Sequence, residues 1–132
     1  MPIALLVLIY AAFIPYLLAL LGGYLKIAHF GYLDNKHPRL QEKQLQSSPA
    51  ARVVAAQANA WEALGLYSAT LLVVYANSVP WDSVSVPAVV FGITRILHPL
   101  FYCADLATLR SMSVLVGVAS CGYMVFLGVS VS

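Results

Sequence analysis

Charge is what this 132-residue chain has least of: Asp, Glu, Lys and Arg together make up 9% of it, where a water-soluble domain carries roughly a quarter. Hydrophobic residues make up 61% and the mean hydropathy is +0.85, so the chain belongs in a membrane. Seven Lys plus Arg stand against five Asp plus Glu, a net charge of +2 with no basic cluster and no interleaved aromatics, which argues against nucleic-acid binding. Cysteine is nearly missing too. Cys103 and Cys121 lie in different apolar stretches without C-x-x-C spacing, which indicates neither a disulfide framework nor a zinc site. Both read as small buried hydrophobes. There is no G-x-S-x-G, phosphate-cradling glycine loop or dinucleotide fingerprint. The length admits a single domain, 1–132.

What is present is a series of long uncharged runs. Crossing about 30 Å of hydrocarbon takes about 20 apolar residues in a helix. Ile3 to Leu25 holds 23 positions without Asp, Glu, Lys or Arg, Ser111 to Ser132 holds 22, and Ala63 to Trp81 holds 19. The last extends back through Val53 if Glu62 is tolerated inside, and Val86 to Ala104 is broken only by Arg95. Crossing segments must be helical, since an open strand edge would leave backbone groups unpaired in lipid. The reading is an all-α membrane four-helix bundle with spans at about 2–25, 52–76, 86–105 and 109–130. The first run lacks a basic leader and is longer than a signal h-region, so it is read as a span.

Lys26, Lys36, Arg39, Lys43 and Arg52 precede the second span, Arg110 lies between the third and fourth, and the opposite connections carry no Lys or Arg. That asymmetry predicts a cytoplasmic 26–52 loop, with both termini and the Asn77–Ser85 link outside. The loop carries Pro38, Pro49 and a Gln/Lys/Ser-rich run, with room for one short helix. Pro15 is expected to bend the first span; Pro99, lacking an N–H, frees the carbonyl of Arg95.

Ionisable groups inside a span cost about 2.5 to 3.5 kcal/mol each and therefore face protein or water. At 100° per residue, Arg52, Asn59 and Glu62 form one stripe on the second helix, and Arg95, His98, Tyr102 and Asp105 form one on the third. Arg110 opens the fourth on the same side. Two arginines, a carboxylate, an amide, an imidazole and a phenol suit a small zwitterion richer in carboxylates than amines, because Arg pairs carboxylates bidentately and Glu accepts from an ammonium. The competing reading is structural: Glu62 and Arg95 as a buried ion pair that fixes helix register together with Asn59. Taken singly, a histidine such as His98 is more often a satisfied structural residue than a ligand or base, and Tyr102 fits an interfacial aromatic belt with Tyr24, Tyr32, Trp81 and Tyr123. His98 with Glu62 and Asp105 offers too few ligands for a metal, so none is expected.

The segment Ala56 to Leu64 with its N-x-x-E at Asn59 and Glu62, the R-x-x-H-x-x-x-Y at Arg95, His98 and Tyr102, and Leu109-Arg110-Ser111 resemble the MAPEG superfamily, the membrane-associated proteins in eicosanoid and glutathione metabolism, in a compact bacterial-type form. The resemblance spans the whole chain. It implies a homotrimer that binds glutathione as co-substrate between neighbouring subunits on the cytoplasmic side, takes a lipophilic small-molecule substrate from the bilayer, and sits in the inner membrane of a bacterial cell. It further implies that Asn59, Glu62, Arg95, His98 and Tyr102 hold glutathione and that Arg110 stabilises its thiolate, since a fixed cation lowers a thiol pKa. The chain departs from the pattern at Ala55, where many members carry an arginine; Arg52, one turn earlier, is the residue placed to reach the same carboxylate. Gln57 matches a polar position used by some members.

Three functions remain open at this stage. One is a glutathione-dependent transferase or peroxidase, one a non-catalytic binding or structural protein of the same fold, and one a small four-helix exporter. The exporter is disfavoured because such proteins centre on a glutamate in the first helix, and residues 3–25 contain none.

Overall fold

A computed structural model describes residues 1–131. It contains α1 (Ile3–Phe30), a short α2 (Pro38–Lys43), α3 (Pro49–Ala76), a 3-10 turn (Trp81–Val84), α4 (Ser85–Cys103) and α5 (Ala107–Val131), with no strand among the described residues. α1, the 3-10 turn with α4, and α5 are each long and apolar enough to cross a membrane. α3 is the fourth long helix; its 28 residues rise about 42 Å, but its polar residues lower its hydropathy.

Each helix shows a narrow buried stripe and a wide apolar exterior. On α1 the buried positions are Ala4, Val7, Ala11, Pro15, Leu18, Gly22 and Lys26, steps of three and four that keep one face inward. Phe13, Leu17, Leu20 and Tyr24 cover the outer face, as a lipid-facing helix requires. α1 packs along α3 and α4, α5 packs on α4 and α3, and α3 also touches α4. The larger core lies between them at the far end from α2. There the Tyr67 and Phe91 rings stack with centroids 4.2 Å apart, and the Tyr67 hydroxyl donates to the Ala4 carbonyl at 3.0 Å. Close approach relies on missing side chains: a Cβ on Gly128 would lie 2.8 Å from Val73 Cγ1, so α5 seats on α3 there only as glycine.

The helix ends correct the boundaries expected from charge. α1 continues past Leu25 to Phe30, because the Lys26 ammonium is buried against Glu42 of α2 at 3.1 Å and no longer marks an end. The stop is Gly31, left-handed at φ 80°, whose N–H donates to the Ile27 carbonyl. α3 starts at Pro49 rather than near 52, with the Ser48 side chain accepting from the Ala51 N–H. The 31–48 segment is built rather than slack. Gln41 accepts from the Asp34 N–H and donates to the Tyr32 carbonyl. Asp34 accepts from the backbone N–H groups of His37 and Lys36, which holds its carboxyl below the usual aspartate range.

Asp105 does not belong to the α4 stripe in which the helical wheel put it. α4 ends at Cys103, and Asp105 takes φ 59°. Its N–H donates to the Tyr102 carbonyl at 3.2 Å and the Leu106 N–H to Phe101 at 2.9 Å, the paired bonds of a Schellman stop. The Asp105 backbone thus makes the turn from α4 into α5, and its exposed side chain does not line the groove described below.

Candidate functional site

Three helices deliver polar side chains to one groove of about 550 Å³, within the range of small-molecule sites. α3 contributes Asn59 and Glu62, α4 contributes His98 and Tyr102, and α5 contributes Arg110 and Ser111. The stripes read on separate helices therefore meet. Arg110 stands in the first turns of α5, where its N–H bonds the Leu106 carbonyl and no acidic residue accompanies it. Side-chain cation and helix N-terminus are both positive, an arrangement that favours a bound anion.

The Arg110 guanidinium carbon lies 4.4 Å from the centroid of the Tyr102 ring, over its face. Tyr102 in turn meets the buried His98 ring edge-on at 5.3 Å. The aromatic pair thus forms the wall that carries the cation.

Arg95 lies deeper, only 6% exposed. Its Nε donates to Thr94 Oγ1 at 3.1 Å, Nη1 to Asn59 Oδ1 at 3.2 Å and Nη2 to the Ser113 carbonyl at 3.3 Å. All three acceptors are neutral, and two of its five N–H donors are left over. Thr94 Oγ1 passes its own hydrogen to the Phe91 carbonyl. The Glu62–Arg95 ion pair of the structural reading is not formed. Among the described residues the ion pairs are Lys26–Glu42, Arg39–Glu42 and His37–Asp34. Glu62, Arg95 and Arg110 take part in none of them, and Glu62 is exposed.

Arg52 stands apart from the groove: Nη1 donates to the Ser47 carbonyl at 3.3 Å, and Nε is buried without a partner. Ala55, by contrast, lines the groove, so the chain's departure from the family pattern falls at the site itself. Sequence reasoning missed Thr94, Ser113 and Gly117. Thr94 was legible as the polar neighbour of Arg95. The Ser113 carbonyl carries no sequence signal, and Gly117 reads only as a small residue until its place against Thr94 and Arg95 is known. No group of three metal-ligating side chains occurs among the described residues.

A family profile described as MAPEG family matches residues 3–130, nearly the whole chain. No curated protein and no solved structure gives a significant match.

Proposed function

The chain belongs to the MAPEG family, and from that premise we propose that it is a glutathione-dependent membrane transferase or peroxidase that activates the thiol against lipophilic electrophiles. The supporting observation is the groove itself: Glu62, Arg110 and, beneath them, Arg95 come from three helices to one place without neutralising one another. Glutathione carries two carboxylates and one ammonium, and these groups offer complementary charges. Glu62 takes the ammonium, Asn59 and Tyr102 hold the peptide chain, and Arg95 with His98 supports the floor. Arg110 sits over the thiol, whose proton leaves through the open groove mouth. The thiolate then forms a bond to carbon and displaces a leaving group. With a peroxide it attacks the terminal oxygen instead, the O–O bond breaks to release the alcohol and leave a sulfenic acid, and a second glutathione displaces water from that sulfur to form the disulfide. Holding the two reactants in register supplies much of the rate.

The second carboxylate is the weak point, since Ala55 offers it no charge. Arg52 supplies it by leaving the Ser47 carbonyl, a move its unsatisfied Nε favours. The same observation favours a second reading, a protein that binds glutathione without turning it over. In the assembled protein four helices span the bilayer in one domain, the 31–48 connection with Lys36, Arg39 and Lys43 faces the cytoplasm together with the flanking Lys26 and Arg52, and three protomers close the groove; in a bacterium this is the inner membrane. Detergent-purified protein is expected to gain about 1 to 3 kcal/mol of thermal stability from millimolar glutathione, as RT ln(1 + [L]/Kd) requires for an intact site. No shift, beside a binding-competent relative, refutes both readings. A shift without conjugation or peroxide reduction selects the second.

A further inference from the structure

Pro99 stands inside α4, one turn beyond Arg95, and has no N–H to give the Arg95 carbonyl. In the hydrocarbon layer a freed backbone group has no bulk solvent to turn to, and proline persists in a spanning helix where a neighbouring side chain or an ordered water takes over the missing bond. A small cavity lies against this point, lined on α4 by Arg95, His98 and Pro99. Across from them stand Ala11 and Ile14 of α1 and Ala60 and Leu64 of α3, none of which carries a side-chain donor. Thr94, beside Arg95 on α4, has already given its one hydroxyl hydrogen to the Phe91 carbonyl.

His98 is a second polar group left without a partner at the same place. It is 3% exposed, and it makes no hydrogen bond to any described residue; its ring only meets that of Tyr102. The imidazole lines both the small cavity and the polar groove. A buried neutral imidazole wants a donor for one nitrogen and an acceptor for the other. The space open to a water-sized sphere in the cavity is about 10 Å³, close to the roughly 10 to 15 Å³ that one water needs by this measure. A buried water also needs at least two polar partners. The Arg95 carbonyl and His98 are two.

We propose that this cavity is a binding site for one structural water, which donates to the Arg95 carbonyl and to His98 and thereby fixes the tautomer that the imidazole presents to the groove. The direction of each bond follows from valence. A carbonyl can only accept, so it takes one hydrogen of the water. The other hydrogen has only His98 to go to, since the remaining side chains are alkyl or, in Arg95, donors without an acceptor. Left over, it would be a buried donor with nothing to meet. The cavity-side nitrogen of His98 is therefore the unprotonated one, and the proton sits on the nitrogen turned toward the groove. Pro99, which does not line the groove, thus acts as a positioning residue: it frees the carbonyl that orients the water that orients His98. The water site stands without the glutathione reading above. The use of the groove-side N–H, as a donor to a carbonyl or carboxylate of the bound peptide, rests on that reading.

Nitrogen NMR tests this on the full protein in detergent, labelled in its histidine nitrogens and free of ligand. The chain has three histidines, His29, His37 and His98, and the signal lost in His98→Gln is the one to follow. His98 is expected to show a single neutral tautomer, one ring nitrogen carrying its proton and the other accepting, and to cross-relax with a water held longer than bulk solvent. Pro99→Ala supplies an N–H to the Arg95 carbonyl and takes away the first acceptor of the water, so the water signal is expected to vanish and the two tautomers to mix. Leu64→Phe fills the cavity from α3 with Pro99 in place; it is expected to do the same, and it stands as the independent arm if the first variant does not fold. A wild-type His98 that mixes tautomers, or that shows no bound water, overturns the site. So does a tautomer ratio unchanged in both variants. Glutathione is then added, and the protonated-nitrogen signal of His98 is expected to shift. Glutathione that stabilises the protein without moving that signal overturns the donor role, whereas failure of glutathione to bind overturns the glutathione reading and leaves the water site standing.

Discussion

Replacing Arg110 with alanine removes the one cation poised in the groove mouth, and the size of the effect on a bound thiol follows from its position. The guanidinium lies over the Tyr102 face at 4.4 Å, and a thiolate seated against it there lies about 5 Å from the positive centre. Coulomb's law then gives roughly 3 kcal/mol at an effective dielectric of 20 and about 0.8 kcal/mol in bulk water. These correspond to about 2.4 and 0.6 pKa units. A groove open on one side lies between, at about 1 to 2 units. Starting from a thiol near 8.5, a drop of about 1.5 raises the thiolate fraction at pH 7 from roughly 3% to about half. The assay is the ultraviolet thiolate absorbance of bound glutathione titrated from pH 5 to 10, with glutathione saturating so that weaker binding by the variant does not masquerade as a pKa change. The sign is fixed: the cation favours the charged form, so the midpoint lies low in the wild type and moves up by about 1 to 2 units in Arg110→Ala. Arg110→Lys keeps the charge and is expected to restore most of the drop. Equal midpoints in wild type and Arg110→Ala would refute the activating role of Arg110.

Two further predictions concern the scaffold around the site. Asn59→Leu deprives the buried Arg95 guanidinium of its Nη1 acceptor. A hydrogen bond to a charged group is worth about 1.5 to 3 kcal/mol, so the melting temperature in detergent is expected to fall by several degrees, and Asn59→Asp is expected to fall less because it still accepts. Equal losses in the two variants would mean that packing, not the bond, is what Asn59 supplies. Gly128→Ala places a methyl group against Val73 and is expected to cost about 1 to 3 kcal/mol by overpacking, with Val73→Ala in the same chain recovering most of it. No recovery would show that the α3–α5 contact is not what limits residue 128.

The helices were legible because lipid imposes a simple rule on composition: a run of about 20 uncharged residues has few alternatives to a spanning helix. Their ends were less so, because the sequence shows a charge but not its partner. Lys26 looked like a boundary and proved to be a buried residue inside α1, neutralised by Glu42 sixteen positions on. Ser48 and Pro49, assigned to the loop by the sequence reading, turn out to cap and open α3 three residues before the boundary that Arg52 suggested. The candidate site shows the same division. Helical angles put Asn59 and Glu62 on one stripe and Arg95, His98 and Tyr102 on another, but a helical wheel says nothing of how far each helix is rotated against its neighbour. The rotation found gives Arg95 to Asn59 and leaves Glu62 facing outward. Asp105 left its stripe for a local reason, since a residue at the helix stop adopts the left-handed conformation and its side chain turns with it.

The outward face of Glu62 ties the proposed assembly to the proposed chemistry. Residue 62 lies about 20 Å along α3 from Pro49, near the middle of a helix about 42 Å long. A carboxylate at that height, exposed on an isolated protomer, would meet lipid at a cost of about 2.5 to 3.5 kcal/mol, and the Arg110 side of the groove would add to it. A fold that needed neither a partner nor a ligand at this face would gain by losing both charges. The Arg95–Asn59 bond holds register without Glu62, so structural glue does not explain the carboxylate. In the proposed assembly a second protomer would cover this face, replace the lipid and close the fourth side of the groove. Glu62 would then face the proposed zwitterionic guest rather than lipid, and the charge that weakens the lone protomer would select the ammonium end of that guest.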